Sequence, residues 1–365
     1  MRRVLQVTDN MQLGGVQSFI MNVYHKIDRS EIQFDFLIFH EENQIYEDEI
    51  VSLGGKIYKI PARNKGLFQH IKVLDIFFLD HPEYKTVHYH ASSLSNIEVL
   101  KVAKKHGVPQ IIMHSHNTRY SGSKIHGLIH YINRCRIHKF VNVMCACGIE
   151  AARWMFGDER LTSVNIVYNG INLEDYQFNN IIRENIRYTM KISPSTKVFA
   201  CVGRLSVAKN LFFLLEVFEK IYVKQPDCLL LIIGDGELRQ DLEAYTRGLE
   251  ARQNIKFLGR RSDVKNLMQA VDAVIMPSIY EGFPVTLIEA QAGGIPCFFS
   301  TNVTSEAQIN PNVQRISLDQ GPESWADLIT KFDLQRSRDV DMLYSKGFTI
   351  EKTVEKLTNI YRHYE

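Results

Sequence analysis

The sequence predicts an α/β protein of two domains, each a doubly wound parallel sheet. Three observations carry this. The chain has 365 residues, too long for one ordinary core and suited to two domains of roughly 170–190 residues. Short β-rich runs alternate with longer stretches of helical spacing, the pattern of a parallel sheet covered on both faces. The alternation breaks once, at Asn169-Gly170, and then starts again.

In the first half the β-rich runs are residues 4–8, 34–39, 86–89, 110–113, 141–146 and 165–167. Helical spacing covers 16–27, 47–53, 67–79, 94–106, 125–138 and 149–155. The polar stretch 172–183 reads as the linker, so the domains are expected at 1–170 and 171–348. In the second half strands are expected at 198–202, 229–233, 255–258, 273–276, 296–299 and 314–317, and helices at 211–223, 238–249, 264–270 and 284–292. A last helix over 349–365 places Val354, Leu357, Ile360 and Tyr361 on one face. Sheets wound this way bind ligands at the carboxyl ends of their strands.

Composition excludes several classes. A hydrophobic share of 45% with 23% charged residues describes a globular chain. No apolar run approaches the roughly 18 residues of a membrane span. The opening residues Met1–Asp9 read as charged and then strand-like, so a cytoplasmic location is expected. The six cysteines form no CxxC pair, and Cys145-Ala146-Cys147 reads as buried strand rather than metal ligand. The net charge of +2 conceals an asymmetry: between Glu98 and Glu150 lie eight Lys/Arg and no acid. That stretch reads equally as a solvated helical face or as a dock for an anionic acceptor or membrane face. Nothing in it points to nucleic acid.

The stretch from Pro277 to Pro296 is the most informative. An apolar run stops at Pro277, Gly282 permits a sharp turn, and Pro284 suits the start of a helix whose first N–H groups favour an anion. Glu281 lies in the turn and Glu289 five residues past Pro284, about 7–8 Å down the helix axis. Earlier, Gly203-Arg204-Leu205 and Lys209-Asn210 follow a strand and open a helix. Cations there are unfavourable for the helix itself, which argues for an anionic ligand. Gly14-Gly15 precedes the first helix, either as a plain turn or to admit a ligand close to the backbone. Gly234-Asp235-Gly236 ends a strong strand, but Arg239 occupies the third glycine position of a dinucleotide fingerprint, against a nicotinamide or flavin enzyme. His114 and His116 follow a strand, with His88 and His90 alternating along the one before. Asp339-Val340-Asp341 is a literal DxD far from these motifs and reads as a solvated helix start.

These motifs resemble those of the retaining glycosyltransferases of family 4, also called glycosyltransferase group 1. The resemblance rests on Glu281-Gly282-Phe283, on Glu289-Ala290 eight positions on, on Gly294-Ile295-Pro296, and on the Gly-Arg-Leu…Lys-Asn pattern. It extends weakly to Asn169-Gly170-Ile171-Asn172, where the family has Asp last. The resemblance implies the GT-B arrangement of two facing Rossmann-like domains. It implies an N-terminal acceptor domain, a C-terminal nucleotide-sugar domain, and a last helix that packs back on the first. It implies that Glu289 binds the ribose, Glu281 the transferred sugar, and Arg204 and Lys209 the departing diphosphate. Gly14, Gly15, Gly234, Asp235, Gly236, Gly282, Phe283, Pro284 and Val285 would complete the donor site. His116, favoured over His114, would stand near the sugar, although Asn117 replaces the family's acid. No cofactor and no metal is expected. The expected partners are a nucleotide-sugar, by that likeness a UDP-sugar, a saccharide or lipid-linked acceptor, and an anionic membrane contacted peripherally. The alternatives are a nucleotide-sugar epimerase, which would convert donor without acceptor, and a binding protein that never turns donor over.

Overall fold

The computed structural model describes residues 1–12, 14–119, 123–337 and 341–363. Contacts divide the chain into two units, Met1–Gly170 with Ile350–Glu365, and Ile171–Thr349. Both are parallel-sheet α/β units of the Rossmann-like kind, as the alternation predicts.

The first unit runs β1 (Arg2–Thr8), α1 (Gly15–Lys26), β2 (Ile32–Ile38), α2 (Glu47–Ser52), β3 (Ile57–Lys59), α3 (Leu67–Asp80), β4 (Thr86–Ala91), α4 (Glu98–Lys105), β5 (Gln110–Ser115), α5 (Lys124–Arg136), β6 (Val143–Ala146), α6 (Ile149–Phe156) and β7 (Val164–Ile166). Its seven strands are ordered β3-β2-β1-β4-β5-β6-β7, all parallel. The order reverses direction between β1 and β4, which opens a crevice at their carboxyl ends. Central strands are buried because helices cover both faces; all seven residues of β2 are buried, Gln33 and Asp35 among them.

The second unit runs α7 (Asn180–Thr189), β8 (Lys197–Val202), α8 (Leu211–Lys224), β9 (Cys228–Ile233), α9 (Arg239–Thr246), β10 (Ile255–Gly259), α10 (Val264–Gln269), β11 (Ala273–Met276), α11 (Val285–Ala292), β12 (Cys297–Ser300), β13 (Val313–Ile316), α12 (Gly321–Lys331) and α13 (Asp341–Ser345). Six strands are ordered β10-β9-β8-β11-β12-β13. The switch falls between β8 and β11, the strands that precede Gly203 and Pro277. The last helix, α14 (Ile350–Arg362), joins the first unit and packs on α1. It buries Ile350, Thr353, Leu357 and Tyr361, one residue every three or four.

Several expectations need correction. The polar stretch 172–183 is not a linker. It starts the second unit, and α7, which begins within it at Asn180, is anchored by Arg183 and Arg187, whose guanidiniums grip the two oxygens of Asp272 at 2.6 and 2.8 Å. Buried arginines erased the apolar period that would have marked this helix. β3, only three residues long, is too short to show a period, and α12, which buries Trp325, Ala326 and Ile329, was not expected from the sequence. Residues 94–97 lie outside α4, which begins at Glu98. Pro284 caps α11 rather than opening it. Cys145, on β6, and Cys147, just past its end, are both buried, whereas Cys135 is exposed.

Candidate functional site

The second unit gathers the sequence motifs at its switch point. After β8 the chain turns at Gly203 and reaches Lys209 in a short 3-10 turn, with Asn210 in the left-handed region at φ 54°. After β11 it passes Ser278 and Glu281. The two loops are tied by the Ile279 N–H, which donates to the Ala208 carbonyl at 2.8 Å. Across them Lys209 Nζ meets Glu281 Oε1 at 2.8 Å, with 14% and 15% of the two side chains exposed. The Ser278 hydroxyl donates to the same oxygen at 2.6 Å. Burial alone would lower the Lys209 pKa, but the Glu281 charge and hydrogen bond outweigh it, and the net shift is upward. Lys209 is therefore a fixed, partly desolvated cation, the kind of group that interacts most strongly with a second anion.

Glycine is required where these loops cross. A Cβ on Gly234, at φ 135°, would lie 1.9 Å from the Gly203 carbonyl oxygen, and one on Gly236 would lie 2.4 Å from that of Leu205. The Leu205 N–H donates to the Asp235 carbonyl at 3.0 Å. The Gly234-Asp235-Gly236 turn is thus brought against the Gly203–Leu205 turn, and its glycines serve that packing. Asp235 spends one oxygen on the Gly236 N–H at 2.9 Å.

Glu289 sits in the second turn of α11 and accepts a 2.8 Å hydrogen bond from the Tyr176 hydroxyl. Burial pushes the Glu289 pKa up, and the bond from Tyr176 opposes it. Phe283 is buried and stacks on Phe348, ring centroids 5.5 Å apart, which holds the Gly282–Pro284 turn. No side chain caps α11, and its first turn, from Val285, contains no acid. Arg204 takes a different partner from Lys209. Its side chain is 76% exposed and meets Glu237 at 3.1 Å. Tyr176 and Ser278 were not singled out in the sequence. Tyr176 fell in the supposed linker, and Ser278 carried no motif of its own.

In the first unit Gly14 caps α1 with extended backbone. A Cβ on Gly14 would meet only the end of the Gln17 side chain, and one on Gly15 would meet nothing within 4 Å. Among the described residues, packing demands neither glycine. His114 is fully buried on β5, whereas His116, just past the strand, is half-buried. His116 Nε2 lies 2.8 Å from His90 Nδ1, and burial pushes the His116 pKa down to about 3, so its ring is neutral. The strand alternation that made His88 and His90 weak candidates in fact aims them at His114 and His116. Two in-register strands with histidines at i and i+2 were the available signal. Asp339 and Val340 lie outside the described residues, and Asp341 opens α13.

Residues 182–344 match the family model described as Glycosyl transferases group 1. EpsF of Bacillus subtilis (strain 168) is 29% identical over 375 residues, spanning 99% of this chain and 96% of EpsF. The UDP-Gal:alpha-D-GlcNAc-diphosphoundecaprenol alpha-1,3-galactosyltransferase of Escherichia coli is 24% identical over 378 residues, covering 96% and 94% of the two chains. Among solved structures, Anabaena Alr3699/HepE in complex with UDP and glucose superposes over 100% of both chains with a TM-score of 0.79 at 15% identity. That likeness shows the fold, which matches GT-B neighbours in having these two units. The family match and the full-length relatives together support the group 1 glycosyltransferase family.

Proposed function

We propose that this chain, with its group 1 glycosyltransferase match over residues 182–344, is a retaining transferase of hexosyl groups. It takes the sugar from a nucleotide-sugar, a UDP-sugar by preference, and passes it to a growing surface glycan or a lipid-linked saccharide in capsule or exopolysaccharide assembly. The observation that carries the reading is the Lys209–Glu281 pair beside Gly203, with Glu289 close by in sequence on α11. In this reading residues 171–348 hold the donor and residues 1–170 the acceptor. Glu289 takes the ribose hydroxyls, with Tyr176 holding its other face, and Glu281 takes hydroxyls of the transferred sugar. When the anomeric C–O bond breaks, the nucleoside diphosphate leaves with the electron pair. Lys209 and Arg204 stabilise that charge, Arg204 by swinging from Glu237, and the N–H groups at the start of α11 add to it. His116, neutral, stands as a hydrogen-bonding group near the sugar. The charge is met without a metal at the diphosphate. The names of the relatives, one acting on UDP-Gal and a diphosphoundecaprenol acceptor and one solved with UDP, support the donor and acceptor classes.

A peripheral place at the inner face of the cytoplasmic membrane fits the basic stretch between Glu98 and Glu150 and the apolar side chains exposed beside it. Phe68 and Leu79 on α3 are 89% and 68% exposed, and Ile125 and Leu128 on α5 are 70% and 62%. Among the described residues no helix is long and apolar enough to cross a membrane.

The test is a thermal-shift screen against uridine, guanosine and adenosine diphosphates and their sugar conjugates, without added metal. A ligand at about 100 times its Kd stabilises by about 2.7 kcal/mol. A shift selective for one nucleotide and lost in Glu289→Ala is expected. No shift with any of them, or an undiminished shift in Glu289→Ala, refutes the donor site.

A further inference from the structure

We propose that His88, His90 and His114 form a binding site for a divalent first-row transition ion of the zinc class, inside the first unit. The site is built from first-unit residues alone, with His116 in contact at His90, and does not rest on the glycosyltransferase reading. β4 carries His88 and His90 two residues apart, hence on one face, and β5 sets His114 in register beside His90. One ring nitrogen from each of the three lies within 4.8 Å of the other two. The closest pair, His88 Nε2 and His114 Nδ1, is 3.1 Å apart. At zinc–nitrogen lengths of about 2.0–2.1 Å, tetrahedral ligands stand about 3.4 Å from each other, so closure around an ion asks for small ring movements.

Two of the three rings carry the outer hydrogen bond that a built site needs. Metal-binding imidazoles are oriented by a hydrogen bond on the other ring nitrogen. His88 Nδ1 has the Tyr361 hydroxyl at 2.6 Å, and His90 Nε2 has the Gln6 side-chain oxygen at 2.8 Å, so an ion would take His90 Nδ1 in place of its 2.8 Å contact with His116 Nε2. His114 turns Nδ1 toward His88, and its outer nitrogen, Nε2, is buried without a hydrogen-bond partner among the described residues. Phe19 presses edge-on against the His114 ring, centroids 5.2 Å apart, and keeps the cluster dry. Three imidazoles with no carboxylate among them select zinc, copper, nickel or cobalt over magnesium and calcium. Through Gln6 on β1 and Tyr361 on α14, the ion would lock the last helix to the centre of the sheet.

The test uses the full chain, untagged or with the polyhistidine tag removed. Elemental analysis should find close to one zinc per chain. After chelation, titration with Co2+ should restore one equivalent with the intense visible bands of a tetrahedral site. Histidine NMR should show the resonances of the buried rings moving first, ahead of exposed His25 and His126. His90→Gln and His114→Gln should each lose stoichiometric binding. Should those variants fail to fold, the wild-type measurements decide alone. A folded wild-type chain that binds well under one equivalent of zinc and of Co2+, or whose binding moves only His25 or His126, overturns the proposal.

Discussion

Replacing Lys209 by Met removes a half-desolvated cation but leaves Glu281 in place, and the cost follows from that asymmetry. At 2.8 Å the pair attracts by about 6 kcal/mol at an effective dielectric near 20. Desolvation of both groups offsets much of this, so the pair itself contributes little net stability. Removing one partner is different, because the survivor keeps its burial and loses its counter-charge, which costs about 3–5 kcal/mol. The Ser278 hydroxyl still serves Glu281, which argues for the lower end, about 3 kcal/mol. For a unit of this size that is a fall of about 6–12 °C in its calorimetric transition. Lys209→Met/Glu281→Gln should recover most of the loss, since no unpaired charge remains. The Lys209 pKa is raised, so its contribution is fully present below the ordinary lysine value and lost only as pH rises through the raised one. The gap between wild type and Lys209→Met should therefore be flat across neutral pH and close only in strong alkali. Transfer should behave otherwise, falling about 10²–10³-fold in kcat in the single and staying low in the double variant. Single-variant effects that add within about 0.5 kcal/mol would show the pair to be uncoupled and would refute the reasoning.

Three further outcomes are expected. Tyr176→Phe deletes the hydrogen bond that holds the Glu289 pKa down against burial. The acid's folded pKa rises further, so stability lost as pH climbs from the ordinary carboxylate value should be lost over a wider window, as a denaturation series against pH would read. Gly234→Ala sets a methyl against the rigid Gly203 carbonyl at a left-handed φ, and should cost about 3 kcal/mol, where Gly15→Ala costs under about 1 kcal/mol by the same denaturant titration. His130 accepts the Leu94 N–H at Nδ1 and faces the Trp154 carbonyl with Nε2, and burial pushes its pKa down to about 4. A depressed histidine contributes stability above its unfolded pKa that is lost as pH falls toward the folded one. Acidification from about pH 6.5 to 4 should cost the wild type about 1–2 kcal/mol more than His130→Gln, measured by the first unit's melting.

Periodicity carried most of the fold because buried parallel strands and amphipathic helices leave long, regular signals. It failed at α7, where Arg187 is buried by virtue of Asp272, an ion pair 85 positions away. It failed again at β3, whose three residues are too few to show a period. The candidate site was legible in Glu281, Glu289, Lys209 and the glycines, since close backbone approach and fixed charge restrict residue type. Tyr176 was not legible, because a tyrosine in a polar stretch names no partner.

The order of chain elements, the break at Asn169-Gly170 and the Glu281-to-Glu289 spacing are properties of the sequence alone, set by local sterics and by the burial of apolar periods. Tertiary structure decided which charges meet. It paired Lys209 with Glu281 and left Arg204 with Glu237. It set His88 and His90 against His114 and His116, and brought Tyr361 from the far end of the chain onto His88. Local pattern reports which face of an element is apolar. The partner of a buried polar group depends on strand order and register, and those exist only once the sheet has formed.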